Sequence, residues 1–125
     1  MIVLTFGTFD LLNIGHLSFL EKAKGYGNKL IVGVASDDIV NRKTIYSYKN
    51  RSLVISSLKI VDEVFLNESI GKINEYIQSY KIDIVVLSES YKDNLNGLNV
   101  DSKVVYLPRI QSEYKEVNIR IAKDI

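Results

Sequence analysis

The sequence contains no cysteine, no tryptophan, a single proline and a single histidine among its 125 residues. Without cysteine, the chain forms no disulfide, no iron–sulfur cluster and no zinc site with thiolate ligands. Because His16 is the only histidine, a metal cage built from imidazoles is excluded as well. The longest apolar runs are far shorter than the roughly 20 residues that span a bilayer, so we expect no membrane segment.

An excess of charge of either sign is also lacking. Lysine and arginine number 16 and aspartate and glutamate 15, for a net charge of +1, which gives no indication of binding to nucleic acid or to an anionic membrane. A hydrophobic content of 46% with 25% charged residues is typical of globular chains and excludes disorder. We expect one domain over residues 1–125, soluble and cytoplasmic, because the apolar run at residues 2–6 is too short for a signal peptide.

Apolar runs of strand length alternate with segments of helical periodicity. The strands are predicted at residues 2–6, 29–35, 61–66, 82–87 and 104–107. The helices are predicted from residues 13–16 to residue 24, and over residues 51–60, 70–80 and 112–125. This alternation predicts an α/β fold, a doubly wound sheet of about five parallel strands joined by right-handed crossovers, with helices on both faces.

The segment G-T-F-D-L-L-N-I-G-H, residues 7–16, joins the first strand to the first helix. Its place suggests a phosphate site, because backbone N–H groups and the helix dipole favour anions at a helix start. Gly15 would let a phosphate approach the backbone, and Asn13 and His16 would donate to it. The alternative is that Asn13 only caps the helix and His16 is a solvated residue of its first turn. Asp10 is interpreted as a structural partner of the loop.

This segment resembles the signature of the HxGH nucleotidyltransferase superfamily, and most closely that of small bacterial glycerol-3-phosphate cytidylyltransferases. The likeness extends over essentially the whole chain, through S-D-D at residues 36–38, V-D-E-V at residues 61–64 and V-V-Y-L-P-R at residues 104–109. It implies a Rossmann-like fold, often a homodimer, that transfers a cytidylyl group from CTP to a phosphorylated alcohol. Glycerol 3-phosphate or another polyol or sugar phosphate would be the acceptor, Mg²⁺ would arrive with the nucleotide, and the product would feed an envelope polysaccharide.

The resemblance also implies roles for individual residues. His16 would contact the phosphates of CTP, and Thr8 and Phe9 would approach the nucleotide mainly through their backbone. Arg42 and Lys43, after the second strand, would reach the transferring phosphates. Candidates for the acceptor's phosphate are three cations on or near the helices, for each of which a solvated helix charge is the alternative: Arg51, Lys59 and Lys72.

The sequence departs from the family pattern at three places. Asn13 replaces the first histidine of the motif, and an asparagine carries no positive charge. In the second signature Arg109 is kept but the hydroxyl-rich part is lost, which leaves Ser112, Tyr114 and Lys115 as nucleotide-binding candidates or as a plain surface helix start. Residues 88–91, S-E-S-Y, differ as well. A weakly active or non-catalytic nucleotide-binding homologue and an ATP-using adenylyltransferase therefore remain as alternatives.

Overall fold

In a computed structural model, which describes residues 1–40 and 43–108, strands and helices alternate as the sequence predicts. The strands are β1 (Ile2–Gly7), β2 (Lys29–Ala35), β3 (Glu63–Asn67), β4 (Ile84–Ser88) and β5 (Lys103–Leu107). The α-helices are α1 (Ile14–Lys24), α2 (Tyr48–Ser56) and α3 (Ile73–Tyr80). The predicted helix at residues 112–125 lies outside the described residues. Within the described ranges, no helix combines the length and apolar character needed to cross a membrane.

The described strands form one parallel sheet in the order β3-β2-β1-β4-β5, which confirms the predicted doubly wound, Rossmann-like fold. The strands β2 and β3 lie on one side of β1, and β4 and β5 lie on its other side. Six residue pairs join β1 to β2, but only Val3 with Ile84 and Leu4 with Val85 join β1 to β4. The two central strands therefore part toward their carboxyl ends, where such sheets bind ligands.

Alternate residues of β1 enter two separate hydrophobic clusters, one on each face of the sheet. Val3 packs in the cluster that contains Leu20 of α1 and Ile55 of α2. Leu4 packs in the cluster that contains Ile77 of α3. Because side chains alternate along a strand, the apolar run of β1 fills both layers, and helices cover both faces of the sheet.

Helix α2 begins three residues before its predicted start. Ser47 precedes it without a side-chain capping bond, and the Tyr48 N–H donates instead to both carboxylate oxygens of Asp37, at 2.9 and 3.1 Å. A carboxylate is favourable at a helix start because it satisfies an unpaired N–H and interacts with the helix dipole. The cap comes from the loop after β2, so it ties the start of α2 to the carboxyl edge of the sheet.

Two other predicted elements have different bounds. The predicted strand at residues 61–66 is β3, which begins at Glu63 and includes Asn67. The predicted helix at residues 70–80 divides into a one-turn 3₁₀ helix, Ile70–Lys72, followed by α3. Ser69 begins that turn by accepting a hydrogen bond from the Gly71 N–H.

Helix α2 offers a matched test of this packing. Ile55 is fully buried, whereas Leu53 on the same helix is 64% exposed. We expect Ile55→Ala to lower the free energy of unfolding by about 2–5 kcal/mol through lost burial and a residual cavity. Leu53→Ala should change it by less than about 0.5 kcal/mol, and urea denaturation measures both. Equal losses would contradict the described orientation of α2.

Candidate functional site

The loop between β1 and α1 has an unusual backbone. Phe9 and Leu11 have φ angles of 53° and 55°, in the left-handed region that non-glycine residues rarely adopt. The Phe9 ring lies over Gly7, where an added Cβ would stand 2.5 Å from the ring. Gly7 is therefore required for close approach, and the surrounding structure must hold this loop in its strained conformation.

The Arg51 guanidinium supplies much of that support. Its side chain is 1% exposed, and Nη1 donates to the Thr8 carbonyl at 2.7 Å. Nε donates to the Tyr46 carbonyl at 3.0 Å, and Nη2 to the Ala35 carbonyl and to Asp37 Oδ1, at 2.9 and 2.7 Å. The hydrogen bond from Arg51 lowers the pKa of Asp37, so this carboxylate stays ionised. One buried cation thus joins the loops after β1 and β2 to the segment before α2.

Asp10 holds the same segment from the other side. Its carboxylate accepts hydrogen bonds from the Ile45 and Tyr46 N–H groups, at 2.8 and 3.0 Å. Its predicted role as a structural partner of the loop agrees with this geometry. Lys43, which is exposed, lies two residues before this anchored stretch.

Asn13 and His16 form a reciprocal cap at the start of α1. Asn13 Oδ1 accepts from the N–H groups of Gly15 and His16, at 2.8 and 3.2 Å. His16 Nδ1 in turn accepts from the Asn13 N–H at 3.3 Å. The N–H groups of Gly15 and His16, which the sequence offers to a phosphate, are thus bonded to Asn13.

The cap explains what an asparagine preserves at this position. Oδ1 of asparagine and Nδ1 of histidine are both bonded to Cγ, so Asn13 presents the acceptor that a histidine would present to the helix start. An asparagine has no atom that corresponds to Nε2 of histidine. The substitution therefore keeps the structural part of a histidine at position 13 and removes the part that would reach toward a ligand.

The same cap determines the state of His16. Because Nδ1 accepts a hydrogen bond, the neutral ring carries its proton on Nε2. Burial lowers the pKa of His16 below its usual value, and the nearby Asp10 carboxylate opposes this with a smaller effect. The Phe9 ring packs edge-on against the imidazole, with centroids 5.7 Å apart. His16 is therefore an oriented, uncharged donor at neutral pH.

Two clefts open along the carboxyl edge of the sheet. The first, of about 300 Å³, lies where β1 and β4 part; among the residues lining it are Gly7, Phe9, Asp10, His16, Ser88 and Pro108. The second, of about 780 Å³, lies beyond β2 and β3; among the residues lining it are Ala35, Ile39, Asn67, Ser69, Ile70 and Asn94. Thr8, Ser90 and Tyr91 line both clefts, so the two spaces meet at the end of β1.

The structure brings only part of the predicted site together. Thr8, Phe9 and His16 line the first cleft. Arg51 is not brought to it, because its guanidinium is buried and bonded to loop carbonyls. Lys59 lies in the turn that precedes β3, at the opposite edge of the sheet. Outside the described residues lie the other predicted contacts: Arg42, Arg109, Ser112, Tyr114 and Lys115.

Lys72 has an intermediate position. It follows β3 and therefore lies toward the carboxyl edge of the sheet, where the clefts open. Its Nζ, however, is 3.7 Å from the Glu68 carboxylate in an exposed ion pair. Lys72 and Lys43 both stay predictions as ligand-binding cations.

Sequence reasoning missed Asn67, Ser69 and Asn94. Their positions after predicted strands could have indicated them, because residues that follow parallel strands meet at one edge of the sheet. The predicted end of the third strand at residue 66 placed Asn67 outside the strand and hid its position at that edge. Tyr91 belongs to the diverged stretch at residues 88–91, and the sequence alone does not mark it as a site residue.

The residues of the first cleft that the structure describes do not form a protein cage for a metal ion. Asp10 is the carboxylate among its described lining residues, and both of its oxygens accept backbone hydrogen bonds. No cluster of three or more potential metal ligands occurs within the described ranges. A magnesium ion that arrives with a nucleotide would keep most of its waters and be held by the phosphate oxygens, and so would not require such a cage.

Comparisons with known proteins show to which family the chain belongs. The family model described as cytidylyltransferase-like matches residues 4–123. The chain is 34% identical over 112 residues to a glycerol-3-phosphate cytidylyltransferase of Bacillus subtilis, covering 87% of each chain. It is also 34% identical over 134 residues to an FAD synthase of Thermococcus onnurineus, covering 98% of this chain and 87% of the other.

A solved structure is similar as well. It is that of a lipopolysaccharide core biosynthesis protein from Thermoplasma volcanium, with a TM-score of 0.73 and 27% identity. The match covers 89% of this chain and 98% of that one.

The lowered pKa of His16 makes stability depend on pH. The unfolded chain binds a proton near pH 6.5, before the folded chain does, so the free energy of unfolding falls as the pH drops through about 6.5. Urea denaturation from about pH 8 to about pH 5 should show this fall, and the slope should be smaller in His16→Gln. Identical slopes in the two proteins would contradict a buried, neutral His16. Asp37 and Asp62, whose pKa values are also lowered, lose their contributions only at lower pH.

The contributions of Arg51 and Asp37 to the stability of the fold can be separated by substitution. We expect Arg51→Met to lower the free energy of unfolding by about 2–4 kcal/mol, because it leaves three loop carbonyls without their donor. Asp37→Asn should lower the free energy of unfolding by less, since Arg51 keeps its carbonyl partners and Asp37 is exposed. Urea denaturation of both variants decides the point. Equal losses would assign the stabilisation to the ion pair.

Proposed function

Because the chain belongs to the cytidylyltransferase-like family, we propose that it transfers a cytidylyl group from CTP to the phosphate of a small phosphorylated alcohol. A phosphate oxygen of the acceptor attacks the α-phosphorus of CTP. The bond between the α-phosphorus and its bridging oxygen breaks, and pyrophosphate leaves with that oxygen. The similarity to glycerol-3-phosphate cytidylyltransferases supports this assignment.

One structural observation carries the proposal. Two clefts meet at Thr8, Ser90 and Tyr91, and His16 lines the first of them. A transfer between two substrates needs two adjacent spaces that bring the reacting phosphates together, because positioning supplies much of the rate. The first cleft would hold the nucleotide and the second the acceptor.

The chain's own residues would act mainly by orientation and charge stabilisation. His16 Nε2–H would donate to a phosphate oxygen of the nucleotide, in the orientation that the Asn13 cap enforces. Lys43 would bring a positive charge from the segment that Asp10 anchors, with Arg42 beside it in the sequence. A magnesium ion bound to the triphosphate would neutralise part of its charge.

The resemblance to an archaeal FAD synthase favours a second candidate, transfer of an adenylyl group from ATP. The two candidates share the phosphate chemistry and differ in the base. Pyrophosphate release with CTP and with ATP distinguishes them directly.

Asn13→His tests the chemical role of the motif. Restoring an imidazole should raise kcat for pyrophosphate release from CTP by roughly 10- to 1000-fold with little change in KM, because its Nε2–H adds a donor to the charge that develops in the transition state. His16→Ala should weaken CTP binding by at least about tenfold. The assay uses CTP with several polyol phosphates.

Lys22→Ala, an exposed substitution in the last turn of α1, is the control. If Asn13→His is inert with every acceptor and His16→Ala still binds CTP normally, the proposed function is contradicted and a non-catalytic homologue becomes the better interpretation.

A further inference from the structure

The second cleft has a distinctive chemical character. Among its described lining residues no side chain is charged, and the polar ones are all hydroxyls and carboxamides: Thr8, Asn67, Ser69, Ser90, Tyr91 and Asn94. Such groups pair with neutral hydroxyls and do not compensate a buried charge. At about 780 Å³ the cleft is also much larger than the body of a three-carbon acceptor.

Asn67 is the most constrained polar group in this cleft. It is 3% exposed, at the last position of β3, where its backbone carbonyl accepts from the Ser36 N–H at 2.9 Å. Its Oδ1 accepts from the Ser69 N–H at 3.2 Å, which fixes the orientation of the carboxamide. None of the described residues accepts a hydrogen bond from its Nδ2. Because Asn67 lines the cleft, this NH₂ group is available to donate a hydrogen bond to an occupant.

Tyr91 adds a second neutral group at the junction of the clefts. Burial raises the pKa of Tyr91 to about 12, so its hydroxyl keeps its proton throughout the physiological range. No described residue forms a hydrogen bond with this hydroxyl, which can therefore both donate to and accept from a ligand hydroxyl.

We propose that the second cleft binds the body of the acceptor, and that this body is an uncharged polyhydroxylated chain or ring longer than glycerol, held by Asn67 and Tyr91. The proposal rests on the proposed function, since it takes the phosphate end of the acceptor to lie at the junction near Thr8. A charged body would be desolvated without a counter-ion among the described lining residues. An aromatic hydrocarbon body, which has no hydrogen-bond acceptor, would leave the Asn67 NH₂ without a partner.

Acceptor preference tests the substrate class. With CTP saturating, kcat/KM for pyrophosphate release should be at least about tenfold higher for ribitol 5-phosphate or sorbitol 6-phosphate than for glycerol 3-phosphate, since only the longer bodies carry hydroxyls that can extend to the Asn67 NH₂ group. Phenyl phosphate, which has no hydroxyl on its body, serves as the aromatic acceptor. If glycerol 3-phosphate or phenyl phosphate is the best substrate, this inference is overturned, although activity with glycerol 3-phosphate would still support the proposed function.

Asn67→Leu removes the NH₂ donor at nearly constant size without adding a charge. It should raise KM for the longer acceptor by at least about tenfold and reduce the preference for that acceptor over glycerol 3-phosphate, while KM for CTP changes little. Asn28→Leu, at the opposite edge of the sheet, is the matched control. A purely structural role for Asn67 would instead affect both acceptors and the melting temperature alike, and that result would overturn the inference.

A binding measurement keeps the test independent of turnover and of the variant's folding. Ribitol 5-phosphate, added to the unaltered protein without nucleotide, should shift the side-chain NH₂ resonances of Asn67 in an NMR titration. Shifts at Asn67 in a protein that turns over no acceptor would support the cleft assignment while the proposed function fails. An unchanged Asn67 signal at saturating ligand would overturn the inference even if CTP is consumed.

Discussion

The buried guanidinium of Arg51 is the interaction on which the carboxyl edge of the sheet depends. A charge removed from water must be compensated, and here three backbone carbonyls and the Asp37 carboxylate do so. Because those partners belong to separate loops, the compensation also fixes the loops relative to one another. The left-handed backbone of Phe9 is held in place by this arrangement, and His16 follows a few residues later on α1.

The reciprocal cap between Asn13 and His16 separates two functions that a pair of histidines would combine. One function is to begin the helix and orient the neighbouring imidazole, and the asparagine oxygen performs it. The other is to present an Nε2–H donor to a phosphate, which asparagine does not do. The chain therefore retains the cap at the start of α1 with one imidazole donor fewer.

The sequence allowed the sheet and its layers to be predicted because long apolar runs separated by helical periodicity leave few alternatives. The boundaries were less accurate for identifiable reasons. Helix α2 is capped by Asp37, eleven residues before Tyr48, and no local pattern reveals such a partner. The third strand was predicted to end one residue early, which removed Asn67 from consideration.

The candidate site was only partly predictable for a similar reason. Arg51 was interpreted as a ligand-binding cation because sequence does not distinguish a surface arginine from one that loop carbonyls surround. Its burial depends on contacts with Thr8, 43 positions away in the chain. The motif at residues 7–16, in contrast, is local, and its placement between β1 and α1 followed directly from the strand and the glycine that ends it.

The gap between β1 and β4 has a consequence for how this scaffold diversifies. The opening is produced by two backbones that share only two residue pairs before they part, so its existence depends little on the side chains at its rim. Ser88 and Ser90 lie on that rim, outside the two hydrophobic clusters that stabilise the fold. Substitutions at the rim would therefore cost the fold little, while the loops tied to Arg51 keep their arrangement.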